Sequence, residues 1–246
     1  MPRYFIEVCY RGTCYSGFQV QQNAVTIQSE VEKALQIYFR QAFALTGSSR
    51  TDAGVHALQN YFHFDTDIPF EENLGKVYNL NAILPNDIVI KRIFHVGESA
   101  HCRFDAIARE YKYFIYQDKN PFLFDRAYYF PYNLDIDRMN KAATLLLQHR
   151  DFTSFSKKNT QVNNFICDIQ KSEWIIENDT LIYQVISNRF LRGMVKGLVG
   201  TMLRVGTGKI SLNQFTEIIN TRDCSNADFS VPPQALFLIK VSYNNF

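Results

Sequence analysis

Long apolar runs, paired cysteines and an excess of charge of either sign are all missing from this 246-residue chain. With 26 Lys plus Arg against 24 Asp plus Glu the formal charge is +2, which excludes both a polybasic tail protein and an acidic disordered one. No window approaches the roughly 18 apolar residues of a membrane span, and Glu7 sits where a signal peptide would have its apolar stretch. A cytoplasmic protein with no membrane association is expected. Cys9, Cys14, Cys102, Cys167 and Cys224 are odd in number and form no C-x-x-C pair, which points to reduced thiols. The histidines at positions 56, 63, 95, 101 and 149 include no H-E-x-x-H and no i, i+4 pair, so no metal is expected. Apolar residues, by contrast, are plentiful at 46%, enough for one large core or two ordinary ones.

The order of segments points to α+β with a largely antiparallel sheet. Tyr4 to Tyr10 reads as a strand before the turn signal Arg11-Gly12-Thr13. From Thr26, a plausible cap, Ile27, Val31, Ala34, Leu35, Tyr38 and Phe39 recur at helical spacing. Ala57 to Phe64 predicts a strand, Tyr78 to Leu84 a short helix ending at Pro85, and Ile88 to Phe94 another strand. Glu110 to Gln117 and Ser172 to Ser187, the latter turning at Asn178-Asp179, continue the strands. Helices are predicted at Met139 to Leu147, about Phe190 to Val205, and near Leu212 to Ile219, and Leu236 to Tyr243 closes the chain as a strand.

Several apparent motifs fail on spacing. Gly206-Thr207-Gly208-Lys209 lacks the first glycine and the Ser or Thr of a phosphate loop, having Leu203 and Ile210 there, and reads as a glycine-capped helix end. Asp65-Thr66-Asp67 meets Pro69 and Phe70 where a calcium loop needs ligands and glycine. No serine lies in a G-x-S-x-G elbow. No cofactor is expected.

Two places could carry chemistry. Ser49-Arg50-Thr51-Asp52-Ala53-Gly54-Val55-His56 is a polar cluster in an apolar neighbourhood, on a helix-to-strand connection. Either Thr51 and Asp52 make turn bonds around Gly54, or Asp52 is a nucleophile or base with Arg50 as an anion contact. Periodicity does not choose between these. From Thr180 to Thr216 the chain holds Arg189, Arg192, Lys196, Arg204 and Lys209 and no acidic residue. Arg192, Lys196 and Arg204 would lie on one side of a helix, within an arc of about 120° at 3.6 residues per turn. A solvated basic face is one reading. A groove for a phosphate backbone is the other, supported by Lys157-Lys158 and by aromatics able to stack on bases. Tyr111 and Tyr113 share a strand face and are, as sheet residues, more often core than base platforms.

Arg50-Thr51-Asp52-Ala53-Gly54-Val55-His56 resembles the R-T-D-A-G-V-H signature of the TruA-type tRNA pseudouridine synthases. The segments Thr26-Ile27-Gln28, Glu32 to Leu35, Asn81 to Ile88, His101 to Phe104, Ala108 to Tyr113, Asp151 to Phe155, Phe190 to Gly200 and Ala235 to Leu238 resemble the family in order and spacing, so the likeness spans nearly the whole chain. It implies the pseudouridine synthase fold, two α/β halves sharing a largely antiparallel sheet around a central cleft. The first half, 1–105, would carry the aspartate loop, and the second, 106–246, the tyrosine strand and basic helix.

The implied reaction turns uridine into pseudouridine in the anticodon arm of tRNA, roughly at positions 38 to 40, on a base taken out of its stack. By the same resemblance Asp52 is the essential aspartate, acting as nucleophile on C1′ or as base at C2′, and Tyr111 stacks on the target base and helps remove the C5 proton. Lys196 is the basic partner that keeps the carboxylate ionised, and Arg50 assists flipping. Arg189, Arg192, Lys157 and Lys158 are the candidate tRNA contacts, and a homodimer is implied. The chain departs from the family pattern at Lys196, where many members have Arg, at Ser48-Ser49, which replaces a common Ala-Gly, and at Phe18, where Trp is usual. A non-catalytic RNA-binding protein on the same fold is the alternative. A hydrolytic glycosidase would need two carboxylates across the bond, and the motif offers one.

Overall fold

The computed structural model describes residues 1–70, 74–158, 162 and 164–244. The protein is α+β with a mostly antiparallel sheet, and its chain divides into two compact units, Met1–Ile107 with Leu238–Phe246, and Ala108–Phe237.

In the first unit β1 (Arg3–Tyr10) is followed by α1 (Ile27–Phe39), β2 (Thr46–Gly47), β3 (His56–Asp65), α2 (Leu74–Ile83) and β4 (Ile88–Val96). Strand β1 pairs antiparallel with both β3 and β4, which makes it an interior strand. Its central residues, Tyr4 to Val8, are all buried, and this is why Tyr4 to Tyr10 shows no polar alternation. Glu7 is the charged member of that run. Burial alone would raise its pKa, but bonds from Arg92 Nε (2.7 Å), Gln59 Nε2 (3.2 Å) and the Tyr61 hydroxyl (3.1 Å) outweigh burial and hold it below the usual carboxylate value. Thr26 caps α1 as its position predicts, accepting from Ser29 N–H, while the Ser29 hydroxyl oxygen accepts from Thr26 N–H. Ile27, Val31, Ala34 and Leu35 form the helix's buried face.

The second unit contains most of β5 (Ala106–Tyr116), then β6 (Tyr128–Tyr129), α3 (Ile136–Leu146), β7 (Ile169–Glu177), β8 (Thr180–Ser187), α4 (Met194–Gly206) and α5 (Leu212–Thr221). Strand β8 lies between β5 and β7, antiparallel to both. The β7–β8 turn is made by Asn178 and Asp179, both with positive φ (47° and 58°), as a tight two-residue hairpin requires. In each unit an asparagine amide bonds reciprocally to a strand backbone. Asn81 on α2 pairs with Ile90, and Asn140 on α3 pairs with Trp174.

Two features differ from the sequence reading. The closing strand β9 (Leu236–Tyr243) neighbours β3, and most of it belongs to the first unit, whereas a linear cut after residue 105 places it in the second half. Val241 N–H donates to Gln59 Oε1 there, and the Tyr243 hydroxyl donates to the Cys102 carbonyl. Helix α4 starts at Met194, not at Phe190, because Gly193 has a left-handed φ of 74° that a continuing helix cannot contain. Its far end matches the glycine-capped reading, with Gly208 at φ 72° donating to the Val205 carbonyl.

Every residue of α4 except Lys196 and Arg204 is buried. A Cβ on Gly200 would lie 2.2 Å from the Asp228 carbonyl oxygen, so this helix packs against backbone. In an exposed helix Gly→Ala stabilises by about 1 kcal/mol. Gly200→Ala should instead lower the melting temperature, by an amount corresponding to about 2 kcal/mol or more. Gly97→Ala, where the new Cβ meets nothing within 4 Å, should leave it within a degree or two of wild type in the same scan.

Candidate active site

Asp52 stands between β2 and β3 on a loop held mainly through its backbone. The Thr51 carbonyl accepts from Phe18 N–H (3.1 Å), and the Asp52 carbonyl accepts from Val55 N–H (3.1 Å). Gly54 takes the φ of 79° that the turn requires, and His56 Nδ1 accepts from Gly12 N–H (3.1 Å). The segment carrying Gly12 and Gly17 passes the loop at backbone distance. A Cβ on Gly12 would lie 2.0 Å from the Val55 carbonyl oxygen, and one on Gly17, whose φ is 97°, 3.0 Å from that of Thr51.

These bonds decide how the loop uses its polar residues. Thr51 is buried, with its hydroxyl 2.8 Å from that of Tyr10. Asp52, half-buried, gives the turn its carbonyl, and among the described residues its carboxylate takes no part in these bonds of the loop. Arg50 is exposed beside it in the chain. Ser48 and Ser49 fit without strain, since neither has a positive φ and both are buried. Phe18 stacks on Phe62 at 4.5 Å and 8°, over Gly47, where a Cβ would meet its ring at 2.3 Å.

The other named residues belong to the second unit. Tyr111 on β5 pairs with Val185 of β8, and its ring meets Phe190 edge-on at 4.9 Å. It is 7% exposed, against 0% for Tyr113, whose hydroxyl donates to the Pro232 carbonyl. Two tyrosines on one strand face thus differ, Tyr113 being wholly core. Lys196 is the third residue of α4 and half-buried. A cation in the first turn opposes the helix dipole. That turn has no side-chain cap on Gly193 and no acidic residue, so its N–H groups and Lys196 together favour an anion. Lys157 N–H donates to the Arg192 carbonyl (3.0 Å), and the Lys157 side chain runs beside Gly193, with Cγ 3.0 Å from where a Cβ would stand.

Arg192 and Lys157 thereby meet at the start of α4, Arg192 lying before the helix and not on it, and Lys158 follows Lys157 in the chain. Arg189 is half-buried near Cys167, whose pKa burial pushes up to about 11 against that charge. Arg204 donates to the Asn226 carbonyl (3.3 Å) at the far end of the helix. The basic helical face read from the sequence is therefore not one surface.

The fold also assembles a group that local spacing hides. His63, His101 and Cys102 bring their donor atoms within 4.8 Å of one another and could hold a metal ion, a grouping that a search for i, i+4 histidine pairs does not reach. Residues 63 and 101 lie too far apart in the chain for a spacing rule to link them. The three side chains already bond to their surroundings. Cys102 Sγ donates to the Thr46 carbonyl (3.1 Å) and lies 3.1 Å from His63 Nδ1, and His101 Nδ1 accepts from Arg103 N–H (3.1 Å) and Phe104 N–H (3.3 Å).

A signature loop presenting one carboxylate, set in an α+β fold, is what pseudouridine synthases share, and the chain belongs to the tRNA pseudouridine synthase family. Residues 142–244 match the family model described as tRNA pseudouridine synthase. The chain is 42% identical over 243 residues to tRNA pseudouridine synthase A of Parabacteroides distasonis, covering 99% of this chain and 96% of that protein. It is 43% identical over 247 residues to the protein of that name from Porphyromonas gingivalis (99% and 98%), and 35% identical over 241 residues to that from Staphylococcus aureus (97% and 91%).

Burial, with the charges of His101 and Arg3, lowers the His63 pKa from 6.5 to about 4. The unfolded chain takes up this proton near pH 6.5 and the folded chain only near 4, so the contribution to stability is complete above pH 6.5, declines as pH falls, and levels off below about 4. Melting temperatures should therefore drop across that window, and less steeply for His63→Asn. Equal slopes for the two proteins would remove His63 as the cause.

Proposed function

We propose that this protein is a tRNA pseudouridine synthase, an isomerase that converts uridine to pseudouridine in tRNA. The observation that carries the reading is the loop 50–56, whose backbone is tied down on both sides of Asp52 while its carboxylate is left out of the ties. Near-full-length likeness to proteins named tRNA pseudouridine synthase A supports it. The C1′–N1 bond is cut, the uracil turns, and C5 joins C1′. C5 gives up its proton and N1 gains one, so mass is conserved and no electrons are exchanged.

Within this reading Asp52 is the essential carboxylate, as nucleophile on C1′ or base at C2′. Tyr111 stacks on the target base and assists loss of the C5 proton, Lys196 is the family's basic residue, and Arg50 assists flipping of the target. Arg189, Arg192, Lys157 and Lys158 contact the RNA backbone. The meeting of Arg192 and Lys157 at an uncapped helix start supports phosphate binding. The target is the anticodon arm, the working form is a homodimer and the setting is the cytoplasm. Residues 1–105 supply the aspartate, and 106–246 the tyrosine and the cations.

Pseudouridine mapping by carbodiimide labelling and primer extension on unmodified tRNA tests the assignment. Wild type should give a new signal in the anticodon arm. Asp52→Asn, isosteric and absent from the loop's ties, should keep the wild-type melting temperature and lose the signal. Activity of Asp52→Asn within a few-fold of wild type would sink the assignment. Binding should also weaken steeply with salt, log affinity falling linearly with log salt concentration through counterion release, and a flat response would argue against the phosphate contacts.

A further inference from the structure

Beneath the aspartate loop lies a buried chain of three polar side chains that the reaction itself does not use. Tyr10, Thr51 and Asn60 are 4%, 7% and 0% exposed. The directions of the amide bonds follow from the partners. Asn60 Oδ1 accepts from Tyr61 N–H (2.9 Å), and Asn60 Nδ2 donates to the Ser49 carbonyl (2.8 Å), which fixes the orientation of the amide. The second Nδ2 hydrogen therefore goes to the Tyr10 hydroxyl oxygen (3.1 Å). The Tyr10 hydroxyl in turn shares a hydrogen bond with the Thr51 hydroxyl (2.8 Å), in which either oxygen can donate. The result is a buried relay that joins Asn60, Tyr10 and Thr51, in which each bond polarises the next.

The relay touches the loop at two points, the Ser49 carbonyl and the Thr51 side chain, just ahead of Asp52. The Thr51 carbonyl is held separately by Phe18 N–H. Thr51 is thus anchored through side chain and backbone at once, and its rotation about either is blocked. We propose that Tyr10 and Asn60 are positioning residues, which hold Thr51 through this relay and so orient the Asp52 carboxylate for its reaction. The inference rests on the role given to Asp52 above. Small misplacements of a reacting group cost large factors in rate, so a buried tie one residue away has leverage on turnover.

The experiment follows kcat and KM for an unmodified tRNA transcript in wild type, Tyr10→Phe, Thr51→Val, the double variant and Thr51→Ser, with a melting curve for each. Tyr10→Phe keeps the ring beside Phe18 (5.8 Å) and removes only the hydroxyl. Tyr10→Phe and Thr51→Val should each lower kcat about tenfold, the value of one hydrogen bond, with KM within about twofold. The double variant should be no slower than the slower single, because both changes cut the same bond. Thr51→Ser, which keeps the hydroxyl, should recover most of kcat.

Unchanged kcat in a folded Tyr10→Phe, rates that multiply in the double variant, or a Thr51→Ser as slow as Thr51→Val would overturn the proposal. If Thr51→Val does not fold, Tyr10→Phe and Thr51→Ser decide alone. Absence of turnover in wild type would instead remove the reaction on which the inference rests.

Discussion

Where the segment with Gly12 and Gly17 passes residues 51–55, backbone packs on backbone so closely that a Cβ at Gly12 would lie 2.0 Å from the Val55 carbonyl oxygen. Much of the loop's geometry follows from that approach. It brings Phe18 N–H to the Thr51 carbonyl and Gly12 N–H to His56 Nδ1, so the loop's polar groups are satisfied from the neighbouring segment. Side chains at these two glycines would push the segments apart and leave buried donors and acceptors unpaired, at about 1–3 kcal/mol each. Close packing thus does two things with one geometry. It satisfies the loop, and it leaves the Asp52 carboxylate out of that satisfaction.

Much of the architecture was legible in the sequence because it is local. Thr26 caps where the apolar period begins, and Asn178-Asp179 turns where two strands need a tight hairpin. Helix α4 was read four residues too early because Phe190 and Leu191 prolong the apolar period, and the signal against it was Gly193 itself. The place of β9 was not legible, since which strands become neighbours depends on pairing across nearly the whole chain. Distance in sequence hid the supports of the site in the same way. Tyr10 and Asn60, which reach Thr51 and Ser49, are separated by 50 residues, and His63 and Cys102 by 39. The loop itself stood out as a motif, but nothing in its letters told whether Asp52 served the turn. In the structure the turn bond is made by the Asp52 carbonyl.

Net charge was a poor guide to where cations act. The chain is nearly neutral, yet Arg192 and Lys157 meet at a helix start that has no acidic residue in its first turn and no side-chain cap. The same helix sends Arg204, at its other end, to a backbone carbonyl. Of the charges that a helical wheel places together, one precedes the helix, one lies in its first turn and one serves a local tie. Burial of the rest of α4 explains the split, because a helix covered on all sides by apolar packing exposes polar groups only near its ends.

Rigidity is distributed to match. The aspartate loop is held by buried bonds between 2.8 and 3.1 Å, several of them to backbone, so its geometry is set before any substrate arrives. Arg50, Arg192 and Lys158 are exposed and Lys157 half-exposed, and on the proposed function these long side chains adjust cheaply to an irregular phosphate backbone. A bond that must break and reform at one carbon demands fixed reacting groups, and rate falls quickly with misplacement. Binding a flexible polyanion demands the reverse, many weak contacts that tolerate movement. On the proposed function the buried relay and the exposed cations therefore answer opposite physical requirements of one reaction, and the fixed part is the one built from residues far apart in the chain.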